Sequence, residues 1–241
     1  MKISTIIPSY NEETFIEECL KKSLEAHKDL GHEFEIIAVD DGCTDRTPEI
    51  TERLSREKDE IKHLSFENRL GKGKAIETGF KEAEGDYLIF YDTDLSTDLE
   101  YLEKLLENLD NGFDAVIGSR LHEETDLDSR FHRAMVRKSY SCFLNLLFDT
   151  DIGDLQCGFK GFRKEAYINV VDDMKAEHMF WDTEIIIRMC HQGHKVKEIP
   201  VEWTKKPESK TRTRDVFPKF PVEALKLKKE LRGQDCTKIK K

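Results

Sequence analysis

Short apolar runs alternate with amphipathic segments along the first half of the chain. The runs "ISTIIPS" (3–9), "FEIIAVDD" (34–41), "IKHLSF" (61–66), "DYLIFYD" (86–92) and "DAVIGSR" (114–120) are rich in Ile, Val and Phe and mostly lack polar alternation, which predicts strands buried on both faces. Helical periodicity fills the gaps. Asn11 is a candidate cap for a helix with Phe15, Ile16, Cys19, Leu20 and Leu24 on one face. "DRTPEITERLSRE" (45–57) follows with Thr47 as expected N-cap and Pro48 at the first helical position, and "GKGKAIETGFKEAEG" (71–85) reads as a helix opened by a glycine loop and closed by Gly85. "STDLEYLEKLLENLD" (96–110) is a helix capped by Thr97 or Asp98. Strands separated by helices imply an α/β fold with a mostly parallel sheet, whose ligands gather at the carboxyl ends of the strands.

Beyond residue 120 the pattern loosens. "SRFHRAMVRKSYSCFLNLLF" (129–148) is helical, "GDLQCGFKGFRKEA" (153–166) is a glycine-broken turn or strand, "WDTEIIIRMCHQGH" (181–194) is a helix and "KVKEIPVEW" (195–203) a strand. "KKPESKTRTRDVFPKF" (205–220) reads as a basic loop before a last amphipathic helix. With no repeat or linker, the expected division is one domain over residues 1–215, in halves 1–120 and 121–215, and a basic helix and tail over 216–241.

Charge changes the picture at the ends. The chain of 241 residues carries a formal net charge of -10, which argues against generic nucleic-acid binding. Residues 205–241 hold 13 Lys/Arg and 5 Asp/Glu, so an acidic body ends in a basic tail: a solvated helical terminus, or a patch for phosphate or anionic lipid. The apolar run around Cys142–Phe148 is far shorter than the ~20 residues that cross a bilayer. The start of the chain lacks a signal-peptide pattern, so a cytoplasmic protein, at most peripheral to a membrane, is expected. Six scattered cysteines show no pairing or zinc spacing and read as reduced, mostly core thiols. His27, His63, His178, His191 and His194 show no ligand spacing and read as structural.

The chemistry concentrates where strands end. Asp92 and Asp94, two apart at a strand exit, can both face one hard cation while phosphate and water fill its other positions, although aspartates ahead of a helix are more often caps. "NRLGKGKA" (68–75) offers backbone N–H groups with Arg69, Lys72 and Lys74 at a helix start, a setting suited to phosphate, though neither Walker nor GxGxxG spacing is met. Asp40 and Asp41 end the second run, where a carboxylate can accept from a base N–H or a ribose hydroxyl, or simply cap a turn.

Taken together, "IIPSYNE", "VDDGCTDRT", "RLGKGKAI", "FYDTDLST", "IGSR" and "DLQCGFKGF" resemble, in order and spacing, family 2 glycosyltransferases of the GT-A fold. With "WDTEI", they are most similar to dolichyl-phosphate hexose synthases of the dolichyl-phosphate glucosyltransferase branch, over about residues 3–210. The resemblance implies that Pro8, Tyr10, Glu12 and Asp41 surround the nucleotide base and ribose, that Lys72 approaches the diphosphate, and that Asp92 and Asp94 reach Mg²⁺ or Mn²⁺. It implies that Arg120, with Arg133 or Arg137, binds the acceptor phosphate, that Asp154 lies beside the sugar, and that Lys210 and Arg212 belong to a basic segment near the diphosphate or acceptor. Mannosyl relatives have a metal-binding glutamine where this chain has Ser96.

The activity so implied is inverting, metal-dependent transfer of a hexose to dolichyl or another polyprenyl phosphate at a membrane surface, with UDP-glucose as the favoured donor and GDP-mannose as the second candidate. Residues 130–148, cationic and aromatic along an apolar helix, are a candidate membrane contact, and a homo-oligomer stays open. A lipid phosphate is already an anion and needs no base. A saccharide hydroxyl would need one, and Asp182 or Glu184 is then the candidate. A nucleotide-sugar binding protein without turnover would carry much the same binding residues. A nucleotidyltransferase is disfavoured, because no GxGTR-like phosphate loop follows the first strand.

Overall fold

A computed structural model describes residues 1–120, 129–204 and 219–238. The five expected strands form β1 (Lys2–Ser9), β2 (Glu33–Asp41), β3 (Ile61–Phe66), β4 (Tyr87–Tyr91) and β5 (Ala115–Ser119), and two more follow as β6 (Phe159–Arg163) and β7 (Val196–Pro200). They make one seven-stranded sheet in the order β3-β2-β1-β4-β6-β5-β7. All neighbours are parallel except β6, which runs antiparallel to both β4 and β5.

That single reversal matters for the rim. The carboxyl ends of β1, β2, β4 and β5 lie along one edge, and pairing of Tyr91 with Phe159 puts the amino end of β6 at the same edge. The segment Asp154–Gly158 therefore arrives beside the exit of β4.

Helices cover both faces. On one side lie α1 (Ile16–Leu30), α2 (Thr47–Glu57) and α4 (Tyr101–Asp110), burying Ile16, Leu20, Leu54, Leu102, Leu105 and Leu109 against Ile3, Ile7, Ile36 and Ala38. On the other lie α3 (Lys72–Glu82), α5 (Ser129–Phe148), α6 (Lys164–Val171), α7 (Trp181–His191) and the last helix, α8 (Phe220–Lys238), around Ile6, Ile37, Val39, Phe90 and Trp181. Alternation along β1 and β2 thus feeds two cores, and each fully buried Leu or Ile contributes roughly 1.5–3 kcal/mol.

Several caps differ from expectation. Helix α1 starts at Ile16 rather than next to Asn11, which sits at φ 57° and accepts the Thr44 N–H at 2.7 Å, tying the β1–α1 loop to the β2–α2 loop. Thr47 is the first residue of α2, not its cap, and its N–H donates to Asp45 Oδ1 at 3.0 Å, so Pro48 sits one position further in. Helix α3 ends at Glu82, and Gly85 instead donates to Ser4 Oγ at 2.7 Å. Asp98 accepts the Glu100 N–H in a turn just ahead of α4. Cysteines are less buried than expected: all five described ones are free, but only Cys19 and Cys157 are core residues and Cys142 is exposed. No described helix is long and apolar enough to cross a membrane.

Candidate active site

Three groups of residues meet at the rim. The first lies at the ends of β1 and β2. Asp41 is buried and accepts the Leu70 N–H and, at 3.0 Å, the Gly71 N–H, so it organises the glycine loop that opens α3. The Arg69 guanidinium lies 3.8 Å over the ring of Tyr10, a half-exposed cation–π pair beside that loop. Pro8 is tied to the β4 exit, its carbonyl accepting from Thr93 Oγ1 at 2.9 Å, and the carbonyl of Glu12 receives the Phe15 and Ile16 N–H groups at the start of α1. Asp40 points to the opposite face and pairs with His63 Nε2 at 2.5 Å.

The second group is a row of alternating charges. Asp92 Oδ1 is 2.7 Å from Lys72 Nζ, which is 3.3 Å from Asp182 Oδ2, and Asp182 Oδ1 is 3.0 Å from Lys160 Nζ. Exposure falls along it, from 45% for the Asp92 side chain through 18% for Lys72 and 4% for Asp182 to 0% for Lys160. Burial works against the Lys72 charge, but Asp182 and Asp92 more than offset it and hold the ammonium above its ordinary range.

Asp94 lies beyond Asp92 on a tight loop with Leu95 at φ 48°, and its Oδ1 accepts the Ser96 N–H at 3.0 Å. A narrow cleft beside Asp92 is lined by Tyr91, Ser96, Thr97, Gly158 and Trp203. The chain leaving β7 crosses this loop, Thr204 N–H donating to the Ser96 carbonyl at 2.7 Å.

Two carboxylates on a loop fixed to the sheet are hard oxygen donors that suit Mg²⁺ or Mn²⁺. Among the described residues no group of three or more His, Cys, Asp or Glu could hold a metal by itself, so a cation at Asp92 and Asp94 would need ligand oxygens to complete its shell. The residues present fit a cation shared with a diphosphate.

The third group is Arg120 with Asp154. The guanidinium donates through Nε at 2.5 Å and a terminal nitrogen at 2.8 Å to the two oxygens of Asp154. Burial disfavours the Arg120 charge, but Asp154 outweighs it and holds the group above its ordinary range. Arg120 is thus engaged with Asp154 rather than standing alone for an acceptor. Glu198 on β7, which the sequence did not single out, accepts the Gly153 and Asp154 N–H groups at 2.7 and 2.9 Å and fixes the turn that presents Asp154. An acidic residue two before the end of an edge strand was the only signal for it.

Glu184 is not part of these groups. Its oxygens take Arg188 Nε at 2.7 Å and the Ala176 N–H at 2.7 Å. Arg133 and Arg137 fall on α5 with their side chains outside the described residues, and Lys210 and Arg212 lie outside them altogether.

A mostly parallel sheet of this order, with paired aspartates at the exit of β4 and a glycine loop facing them, is the GT-A architecture. The pattern of glycosyl transferase family 2 matches residues 4–171, and the chain belongs to that family. Glycosyltransferase AglD of Haloferax volcanii is 39% identical over 213 residues, 87% of this chain and 34% of its own length. Dolichyl-phosphate beta-glucosyltransferase of Saccharomyces cerevisiae is 29% identical over 250 residues, covering 95% of this chain and 72% of its own. Dolichol-phosphate mannosyltransferase of Pyrococcus furiosus is 32% identical, covering 90% and 61%. The chain thus spans about a third of AglD and under three quarters of the others.

Among solved structures, glucosyl-3-phosphoglycerate synthase from Mycobacterium tuberculosis with Mn²⁺, UDP and phosphoglyceric acid aligns at TM-score 0.63 and 17% identity, over 94% of this chain and 76% of that one. Mannosyltransferase PcManGT from Pyrobaculum calidifontis with GDP-Man and Mn²⁺ aligns at 0.63 and 19%, over 95% and 64%. These share the fold.

Proposed function

We propose that this chain is an inverting, metal-dependent hexosyltransferase that moves glucose from UDP-glucose to dolichyl or another polyprenyl phosphate, working peripherally at the cytoplasmic face of a membrane. The observation that carries the acceptor class is the engagement of the buried carboxylates. Both oxygens of Asp154 face Arg120, and both oxygens of Asp182 face lysines. An acceptor hydroxyl would need a carboxylate turned toward it, whereas a phosphate monoester brings its own anionic oxygen. The donor is argued from relatives: those named dolichyl-phosphate beta-glucosyltransferase favour glucose, and a relative named dolichol-phosphate mannosyltransferase keeps GDP-mannose as the second candidate.

In this reading the acceptor oxygen attacks C1 of the sugar, the bond from C1 to the nucleoside diphosphate breaks, and the diphosphate leaves with the electron pair. Negative charge grows on the leaving group and positive character on the ring. Asp92 and Asp94 would hold the divalent cation, which would neutralise charge on the leaving diphosphate when bound. Lys72 adds a preorganised positive charge there, and Asp154 faces the sugar ring. Tyr10, Pro8, Glu12 and Asp41 form the nucleoside end, Asp41 by shaping the glycine loop. Arg120, held in place by Asp154, orients the acceptor phosphate with Arg133 or Arg137, and Lys210 and Arg212 belong to a basic segment that serves the diphosphate or the acceptor.

The test is transfer of radiolabelled hexose from UDP-glucose, GDP-mannose and UDP-N-acetylglucosamine into an organic-extractable product, with polyprenyl phosphate and Mn²⁺ or Mg²⁺, beside Asp94→Asn. Label in the lipid phase from UDP-glucose, abolished by EDTA and by the substitution, is the expected result. Donor turnover without lipid product would move the acceptor to a saccharide hydroxyl.

A further inference from the structure

Lys160 is the most deeply buried member of the row of alternating charges, with its side chain fully out of solvent. It lies on the antiparallel strand β6, fully buried, with its ammonium on Asp182 Oδ1 at 3.0 Å and on the Cys157 carbonyl. Lys160 and Lys72 flank the same ring, their Nζ atoms 5.5 and 5.6 Å from the centroid of Phe90. Asp182 is held between them. A buried ammonium is costly unless it is paired, and a single lysine, Lys72, already satisfies Asp182 at 3.3 Å. The second lysine therefore needs a reason.

Charge bookkeeping supplies one. Lys72 paired with Asp182 alone would be a neutral couple, whose field a diphosphate at the rim feels weakly. Adding Lys160 leaves the buried trio Lys160, Asp182 and Lys72 with one net positive charge, and Lys72 is its outermost member. Asp92 balances that excess at the rim, 2.7 Å from Lys72, so the row of four is neutral as it stands. The excess becomes available to a diphosphate once a cation engages Asp92. We infer that Lys160 is a positioning residue that acts through Asp182: it neutralises that carboxylate so that the charge of Lys72 stays available to a nucleoside diphosphate. This deepens the proposed function, since it rests on Lys72 facing the diphosphate, and it gives Asp182 the role of orienting Lys72.

The measurement is calorimetric binding of UDP, with Mn²⁺, and of uridine to the full chain and its variants, which needs no turnover. Lys160→Met should weaken UDP binding about 10-fold and leave uridine binding unchanged. The double variant Lys160→Met with Asp182→Asn, which has the same net charge as the native trio, should recover UDP affinity to within about 2-fold, although the contact to the Cys157 carbonyl is still missing.

A double variant as weak as the single one would assign the loss to packing and overturn the inference, as would unchanged UDP affinity in Lys160→Met. Should Lys160→Met not fold, Lys160→Gln carries the same expectations, and failure of every neutral residue at this position to fold would assign Lys160 to stability instead. A native chain that binds neither UDP nor GDP would overturn the functional reading itself, an outcome distinct from all of these.

Discussion

A side chain at position 158 would place its Cβ 2.0 Å from Oδ2 of Asp92. The first residue before β6 must therefore be glycine for the aspartate at the end of β4 to keep its place, and the Gly158 carbonyl also accepts the Asp92 N–H at 3.1 Å. Gly158→Ala should push the carboxylate off its position without disturbing either core. A displacement of this size is expected to lower hexosyl transfer about 100-fold, while circular dichroism and the melting temperature change little. Native turnover in this variant would show that Asp92 does not need its observed position.

Glu198 tests the other side of the site. Its carboxylate receives two backbone N–H groups from the turn carrying Asp154. Glu198→Ala should cost about 1–3 kcal/mol by leaving those groups without their acceptor, and should lower transfer about 10-fold as Asp154 loses its fixed approach to Arg120. Glu198→Gln, which keeps one acceptor oxygen, should fall between. Denaturant unfolding beside initial rates separates the two effects, and a stability loss with full activity would remove Glu198 from the site.

The strands, the parallel character of most of the sheet and the rim residues were legible because buried strands and their polar exits are local patterns. The place of β6 was not. Its glycines read as breaks, yet Gly158 makes room for Asp92, and Gly161 lies where a Cβ would come 2.4 Å from Leu105. In this strand glycine marks close approach rather than interruption. The caps failed for a related reason. Asn11 and Thr47 are residues that cap helices in isolation, but here they are spent joining two rim loops. The row from Lys160 to Asp92 was illegible because it links β6, α7, α3 and β4, a set of contacts that only the tertiary fold assembles.

Glu184 and Asp182 sit two residues apart and invite the same reading, but their surroundings differ. Glu184 joins Arg188, which is fully buried and also meets Glu230 of α8 at 2.9 Å. Burial works against the Arg188 charge, while Glu230 and Glu184 hold it above its ordinary value. Glu184→Gln should therefore destabilise the fold by about 2–4 kcal/mol, because a buried guanidinium loses half of its compensation. The transfer rate of the folded fraction should stay within about 3-fold of native. Loss of turnover by orders of magnitude at unchanged stability would instead make Glu184 the general base of a hydroxyl-directed enzyme.

His27 predicts how stability depends on pH. The ring is buried beneath β1, Nδ1 donating to the Ser23 carbonyl at 2.8 Å and Nε2 lying 2.8 Å from Thr5 Oγ1, so the neutral form with the proton on Nδ1 fits both partners. Burial lowers the folded-state pKa to about 4, from 6.5 in an unfolded chain. Between those values the unfolded chain takes up a proton that the folded chain does not, so this contribution is complete above about pH 6.5 and is lost as pH falls toward 4. A shift of this size corresponds to about 3 kcal/mol over the window. Urea unfolding at intervals from pH 7.5 to 4.5 should show stability falling with acid in the native chain and a shallower fall in His27→Gln, whatever the variant's stability at neutral pH. Parallel slopes for the two proteins would mean that His27 is protonated as readily folded as unfolded.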